Sequence, residues 1–172
     1  YFNLHGSDET EYWYGQDGKR CPETFSATCL KESKEGYMLG TEACYGAKPV
    51  FRRKPTMLTH ALQSGCLAFL GSSQIAYGEV NRGAVCADVV VGEYIKHLAK
   101  GATAGDAFLT GMKRVADSPR RSDTEILTMA EFFLYGDPSC ALLEQESSSK
   151  AMGVVHKSGY YVPMPDVRRA VE

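Results

Sequence analysis

The sequence predicts an α/β domain with a mostly parallel sheet flanked by helices, on three observations. Short apolar runs alternate with stretches of helical periodicity over residues 1–143. The run 66–70 (Cys-Leu-Ala-Phe-Leu) is continuously apolar, as a strand buried on both faces must be. Strand, helix and strand in succession require a crossover connection, which pairs strands in parallel.

Tyr1, Phe2, Asn3 and Leu4 form a short extended run that ends at His5-Gly6, and Ser7 leads into an acidic stretch. Residues 11–19 (EYWYGQDGK) are aromatic and then rich in Gly and Asp, the composition of an exposed loop carrying Tyr12, Trp13 and Tyr14. Pro22 before Glu23 suits a first helical turn, with Phe25 and Cys29 one turn apart and Gly36 as the stop. Residues 37–43 (YMLGTEA) form a second strand that ends on Cys44, before the small turn Tyr45-Gly46-Ala47. A helix over 56–63, capped by Thr56 after Pro55, precedes the 66–70 strand. Residues 79–100 keep apolar side chains at Val85, Val89, Ile95 and Leu98, with Gly101 as a C-cap, and predict a long amphipathic helix. Residues 103–117 open with Thr103 and Asp106 in a capping arrangement and place Phe108, Leu109, Met112 and Val115 on one face. Asp123 caps a further helical run through Ile126, Leu127, Met129, Ala130 and Phe133, closed by Gly136-Asp137-Pro138 before an apolar strand over 140–143. Residues 144–172 then read as a polar linker and tail.

The chain has 172 residues, of which 44% are hydrophobic and 23% charged, a balance that excludes disordered and fibrous chains. A net charge of -2 gives no field favouring nucleic acid or an anionic membrane surface. No apolar run approaches the ~18 residues of a membrane span. Residue 1 opens without Met or a basic n-region, so any targeting segment is expected outside this chain, as in a processed product or fragment. The six cysteines hold no CxxC pair or zinc-type repeat, which argues against a cysteine metal site. Cys66, Cys86 and Cys140 sit in the apolar contexts of buried hydrophobes, whereas Cys21 and Cys29 flank a polar stretch and can pair in an oxidising compartment.

Open α/β sheets place their sites at the carboxyl ends of strands. His5 and Cys44 both fall there, and if their strands are sheet neighbours, both side chains open into one crevice. An imidazole can take the thiol proton, hold it and hand it to a leaving amine, which makes Cys44 a nucleophile and His5 a general base and acid. Backbone N–H groups of Gly6 and Cys44 can receive the oxyanion, since glycine allows close approach of the chain. No cofactor or metal is required.

Other candidates have bland readings beside the sharp ones. Glu42, two residues before Cys44, can support the histidine or the pocket, or anchor a loop, and Asp8 is similar. Arg52, Arg53 and Lys54 can meet an acidic partner, although such runs are usually solvated faces. His60 and His97 fit ordinary helix positions and His156 lies in the tail, whose Arg168 and Arg169 suit solvent or a further domain. Tyr12, Trp13 and Tyr14 either line a cleft or pack their loop.

Phe2-Asn3-Leu4-His5-Gly6 and Thr41-Glu42-Ala43-Cys44-Tyr45-Gly46 resemble the two catalytic blocks of the caspase-like (clan CD) cysteine peptidases. Glu42-Ala43-Cys44 is similar to the legumain version, and Tyr135-Gly136-Asp137-Pro138-Ser139, expected between a helix and a strand, resembles a block near the end of the gingipain peptidase domain. Phe69-Leu70-Gly71-Ser72-Ser73 to Tyr77-Gly78 resembles the strand and loop that wall the primary specificity pocket. The blocks occur in the family's order across 1–143. The resemblance implies a cysteine endopeptidase acting on protein or peptide substrates, with Cys44 and His5 catalytic and Gly6 and Cys44 as oxyanion donors. It implies Tyr77, Glu42 and Ser73 as substrate-binding residues and favours a secreted or extracytoplasmic setting. Such domains carry further strands and helices before the His strand, so the fold's first strands are expected on an upstream chain of the same precursor. A P1 preference for Arg, Lys or Asn is compatible with it. The rivals are a non-catalytic scaffold of the same fold, which binds a protein partner through the crevice, and an amidase or acyl transferase on the same dyad.

Overall fold

The computed structural model describes residues 1–34, 36–49, 55–78, 84–119 and 122–142. Arg52, Arg53 and Lys54, His156, Arg168 and Arg169, residues 79–83 and the 144–172 linker and tail lie outside them. The described residues form a mixed α/β structure with four α-helices and two small sheets. In chain order these are β1 (Tyr12–Tyr14), β2 (Glu23–Ser26), β3 (Tyr37–Gly40), α1 (Met57–Gln63), β4 (Cys66–Ser72), α2 (Cys86–Leu98), α3 (Ala104–Ala116), α4 (Asp123–Glu131) and β5 (Phe132–Gly136).

β4 is the centre of a three-stranded sheet ordered β3-β4-β5. β3 runs parallel to it, with Leu39 beside Phe69, and β5 antiparallel, with Phe69 beside Tyr135. The sheet therefore holds one parallel and one antiparallel pairing where a mostly parallel one was expected. The N-terminal run touches its outer side through a parallel bridge between Phe2 and Thr41, made by Phe2 N–H to Gly40 O and Glu42 N–H to Phe2 O, both 3.0 Å.

Successive side chains of a strand face opposite sides, and β4 supplies both halves of the core this way. Ala68 and Leu70 meet Val90, Val91, Tyr94 and Leu98 of α2 and Ala107 and Val115 of α3. Phe69 faces Trp13, Leu39 and the α1 residues Met57, Leu58 and Ala61. Each fully buried aliphatic of α2 contributes roughly 1.5–3 kcal/mol by leaving water. Gly111 lets α3 cross α2 closely, since a Cβ there would stand 2.6 Å from Val90 O. α1 and α3 begin where their caps predict, with Thr56 Oγ1 accepting from Thr59 N–H and Thr103 Oγ1 from Asp106 N–H. Leu109 departs from the expected α3 core face and is 50% exposed, while Val115 is buried.

Two helix starts shift, α2 beginning at Cys86 after a non-helical 84–85 and α4 being capped by Ser122 in place of Asp123, and three segments overturn the local expectation outright. The predicted exposed loop at 11–19 contains β1, and Trp13 is 2% exposed. The helix predicted after Pro22 is β2 followed by a single 3₁₀ turn, Ala27–Cys29. Burial explains both corrections: β1 and β2 pair antiparallel with Trp13 opposite Phe25, and their rings stack at 5.8 Å with Phe2 against each. Cys21 and Cys29, which could pair in an oxidising compartment, flank that extended segment, and both thiols are free and exposed. The third correction is at the end, where α4 stops at Glu131 and Phe132–Gly136 is β5, while 140–142 form no strand. A β4 edge offering backbone partners from Ala68 to Ser72 captures this aromatic run. The Gly-Asp-Pro-Ser block consequently follows a strand. It clasps elements together: Asp137 N–H donates to Leu67 O at 2.9 Å, and Gly105 N–H of α3 donates to Pro138 O at 2.8 Å. Of the cysteines expected to be core, Cys66 and Cys86 are buried and Cys140 is half-buried.

Candidate active site

β3 delivers the nucleophile candidate to the end of the sheet. After Gly40, Thr41 is fully buried and its Oγ1 accepts from Ala43 N–H at 3.1 Å, which turns the chain out of the strand. Cys44 opens a tight turn held by Gly46 N–H to Ala43 O (2.9 Å) and Ala47 N–H to Ser72 O (2.9 Å). Tyr45 takes φ +55°, a left-handed conformation that costs roughly 1 kcal/mol for a residue with a Cβ. Its N–H donates to Gln74 O at 2.6 Å, so the loop after β4 holds the turn in that shape.

The His-Gly block lies against this turn. An ideal Cβ on Gly6 would fall 1.8 Å from Cys44 O and 3.1 Å from Cys44 N, so only glycine fits between the two segments. Among the described residues, neither Gly6 N–H nor Cys44 N–H donates to a protein acceptor. Cys44 Sγ is half-buried, receives Ala76 N–H at 3.4 Å and approaches Ala76 O at 3.7 Å. It lines a small cleft of about 20 Å³ together with Ser7, Thr10, Trp13, Tyr45 and Met57.

His5 is placed differently from the expectation of a shared crevice. Its backbone exchanges two 2.8 Å hydrogen bonds with Tyr14, and its exposed ring meets Gln16 Oε1 through Nε2 at 3.2 Å. The ring is not among the groups that line the cleft. The β1 pairing that sequence reasoning missed sets this position, because it draws His5 toward β1 just where its strand leaves β3.

Glu42 is half-buried and accepts a short hydrogen bond from the Tyr1 hydroxyl. Burial first, and then the hydrogen-bonded Asp88 carboxylate, push its acid up to about 7 against the phenol's opposite pull. Burial and Glu42 likewise raise the Tyr1 phenol. Tyr1 and Asp88 were invisible as partners in sequence, because they lie far from Glu42 along the chain. Tyr77 is half-buried, its carbonyl accepting Ala87 N–H at 2.8 Å, and Ser73 is tied through its N–H (2.9 Å) and hydroxyl (3.3 Å) to Glu131 O. Burial, then Asp8, Cys44, Glu131 and Tyr77, raise the Tyr45 phenol. Elsewhere, His97 pairs with Glu93 at 3.3 Å on the surface of α2, and Asp8 is exposed. Among the described residues no group of three His, Cys, Asp or Glu side chains is arranged to hold a metal ion, and no helix is long and apolar enough to cross a membrane.

No family model, curated protein or solved structure matches this chain.

Proposed function

We propose that this chain is the Cys-His portion of a caspase-like cysteine endopeptidase, similar to the gingipain and bacterial caspase-like group. The observation that carries the reading is the packing of Gly6 on the Cys44 backbone, which brings together two blocks that lie far apart in sequence. Two blocks placed by chance would have no reason to pack backbone on backbone at a glycine that admits no side chain.

In this mechanism His5 takes the Cys44 proton and Sγ attacks the scissile carbonyl carbon. The carbonyl π electrons move onto oxygen, and the amides of Gly6 and Cys44, which donate to no acceptor among the described residues, receive that oxyanion. Its collapse breaks the C–N bond, His5 hands its proton to the leaving amine, and a thioester remains. Water, deprotonated by His5, hydrolyses the thioester and restores the thiol. The His5 ring must leave Gln16 for the thiol on substrate binding, a rearrangement common between free and substrate-bound sites. Glu42, Tyr77 and Ser73 belong to the substrate-facing wall, and the mostly parallel caspase-like sheet is completed by an upstream chain of the same precursor. Cleavage of a diverse peptide library by the native assembly, compared with the same assembly carrying Cys44→Ala, tests this. Cleavage that survives the substitution refutes it.

One observation favours a second reading. The His5 ring sits on Gln16 and outside the cleft, which suits a non-catalytic scaffold of this fold that binds a protein partner through the cleft. No cleavage by either assembly selects it.

A further inference from the structure

Between the start of α2 and the end of α3 lies a cavity of about 460 Å³, within the roughly 300–1,000 Å³ of sites that hold small molecules. It shares no lining residue with the cleft at Cys44. One wall is apolar. Val85, Val89 and Val115 line it, and the half-buried Val85 and Val89 still have surface to give to an occupant. Cys86, the first residue of α2, completes that wall; it is 5% exposed, and among the described residues neither its thiol nor its backbone N–H makes a hydrogen bond.

The rim carries two opposite charges. Arg114, on the last turn of α3, and Asp117, its C-cap, both line the cavity, and among the described residues neither side chain has an ion pair or hydrogen bond. They stand three positions apart with the cation on the N-terminal side, the less favourable order for pairing with each other. Glu125, the other carboxylate on the lining, is committed, its Oε2 accepting Ser122 N–H at 2.6 Å and the Ser122 hydroxyl at 3.0 Å.

An occupant that answers all of these features carries a carboxylate, an ammonium and a short apolar body on one small frame. The planar fork of Arg114 suits the carboxylate. Asp117 sits at the end of α3 where the helix favours positive charge, and suits the ammonium. A peptide separates its two terminal charges and places neutral amides between them. An apolar acid or amine answers one charge of the rim and leaves the other facing apolar surface. We propose that this cavity is a binding site for a free α-amino acid with an apolar side chain, its carboxylate on Arg114, its ammonium on Asp117 and its side chain against Val85, Val89 and Val115. On the peptidase reading the ligand is an end product of peptide hydrolysis, but the binding itself does not rest on that reading.

The test is a titration of the whole chain with L-leucine, followed through the backbone amide resonances of Cys86, Val89 and Val115. Parallel titrations use 4-methylpentanoate, which lacks the ammonium, and 3-methylbutylamine, which lacks the carboxylate. L-leucine is expected to shift these amides saturably, and each analogue to bind roughly tenfold or more weakly, because one charge goes unanswered. Arg114→Gln and Asp117→Asn, both at exposed positions, should weaken L-leucine by a similar factor. No saturable shift up to the solubility limit of L-leucine, an analogue that binds as tightly as L-leucine, or variants that bind it with the parental affinity would each overturn the proposal. The analogue comparison uses the native chain, so it decides the matter whether or not either variant folds. A chain that binds L-leucine but cleaves nothing refutes only the peptidase reading, and a peptidase without a saturable L-leucine shift refutes only this site.

Discussion

Replacing Gly6 by alanine probes the junction on which the proposed chemistry depends. The new methyl carbon would start 1.8 Å from Cys44 O and 2.9 Å from Cys44 C. Carbon and carbonyl oxygen approach no closer than about 3.3 Å in favourable contacts, so the two segments must part by about 1.5 Å. Overpacking by one methyl costs roughly 1–3 kcal/mol. The obstacle here is backbone, which cannot rotate away, and that places Gly6→Ala near ~3 kcal/mol. At about 2–4 °C per kcal/mol for a chain of this size, Tm should fall by roughly 6–12 °C. Gly92→Ala is the matched control, since a Cβ there has nothing within 4 Å and the site is inside α2. It should gain about 1 kcal/mol from helix propensity. Thermal unfolding of the three proteins, with the iodoacetamide rate at Cys44 measured by peptide mapping, reads both effects. A Gly6→Ala protein that melts within a degree of the parent and alkylates Cys44 at the parental rate would refute the placement of the His-Gly block.

Four further outcomes are expected. Glu42 titrates at about 7 in the folded chain against an ordinary 4.5, so its neutral form favours folding; that stability is complete below 4.5 and lost as pH rises through 7. The interval corresponds to at most ~3.4 kcal/mol, screened by partial exposure to ~1–2 kcal/mol; urea unfolding at pH 5 and 8 should show that difference in the native chain and not in Glu42→Gln. Gly111→Ala should destabilise by roughly 1–3 kcal/mol, because its Cβ would stand 2.6 Å from Val90 O where α2 and α3 cross; an unchanged urea midpoint refutes the close crossing. Trp13→Ala should cost about 3–5 kcal/mol, and native tryptophan emission, which comes from this residue alone, should move to longer wavelength on unfolding; a spectrum already solvent-like in the native state contradicts the buried ring. Limiting iodoacetamide should reach Cys66 last, because burial pushes its thiol up to about 11, whereas exposed Cys29, its thiol lowered by Ser26, competes with Cys44 for first place; early labelling of Cys66 contradicts its burial.

Elements announced by local chemistry were legible. Thr56 and Thr103 cap the helices they precede, and the unbroken apolar run at 66–70 is the central strand. The misread elements owe their form to partners distant in sequence. Phe25 and Cys29 carry helical spacing, yet Phe25 is claimed by the Trp13 ring across a hairpin. Nothing breaks the helical pattern between Glu131 and Phe132, and only the free edge of β4 makes the change. The same distinction governs the site. The His-Gly and Ala-Cys blocks are local strings, and their motifs could be read directly. Glu42 gains its character from burial and from Tyr1, 41 positions away, and Asp88, neither of which its own stretch of sequence announces.

The two buried clusters share no residue, and β4 is the strand that feeds both. Perturbations on opposite faces should therefore combine independently: Val90→Ala with Leu58→Ala ought to cost the sum of the single losses to within about 0.5 kcal/mol. The helical layer reaches the thiol through β4, through Gly40, where a Cβ would stand 3.2 Å from the Val91, Tyr94 and Ile95 side chains, and through Ala87 N–H on Tyr77 O, in the loop whose Ala76 N–H meets Cys44 Sγ. Helical residues away from those three contacts can be retuned for stability while the chemistry on the other face is left alone.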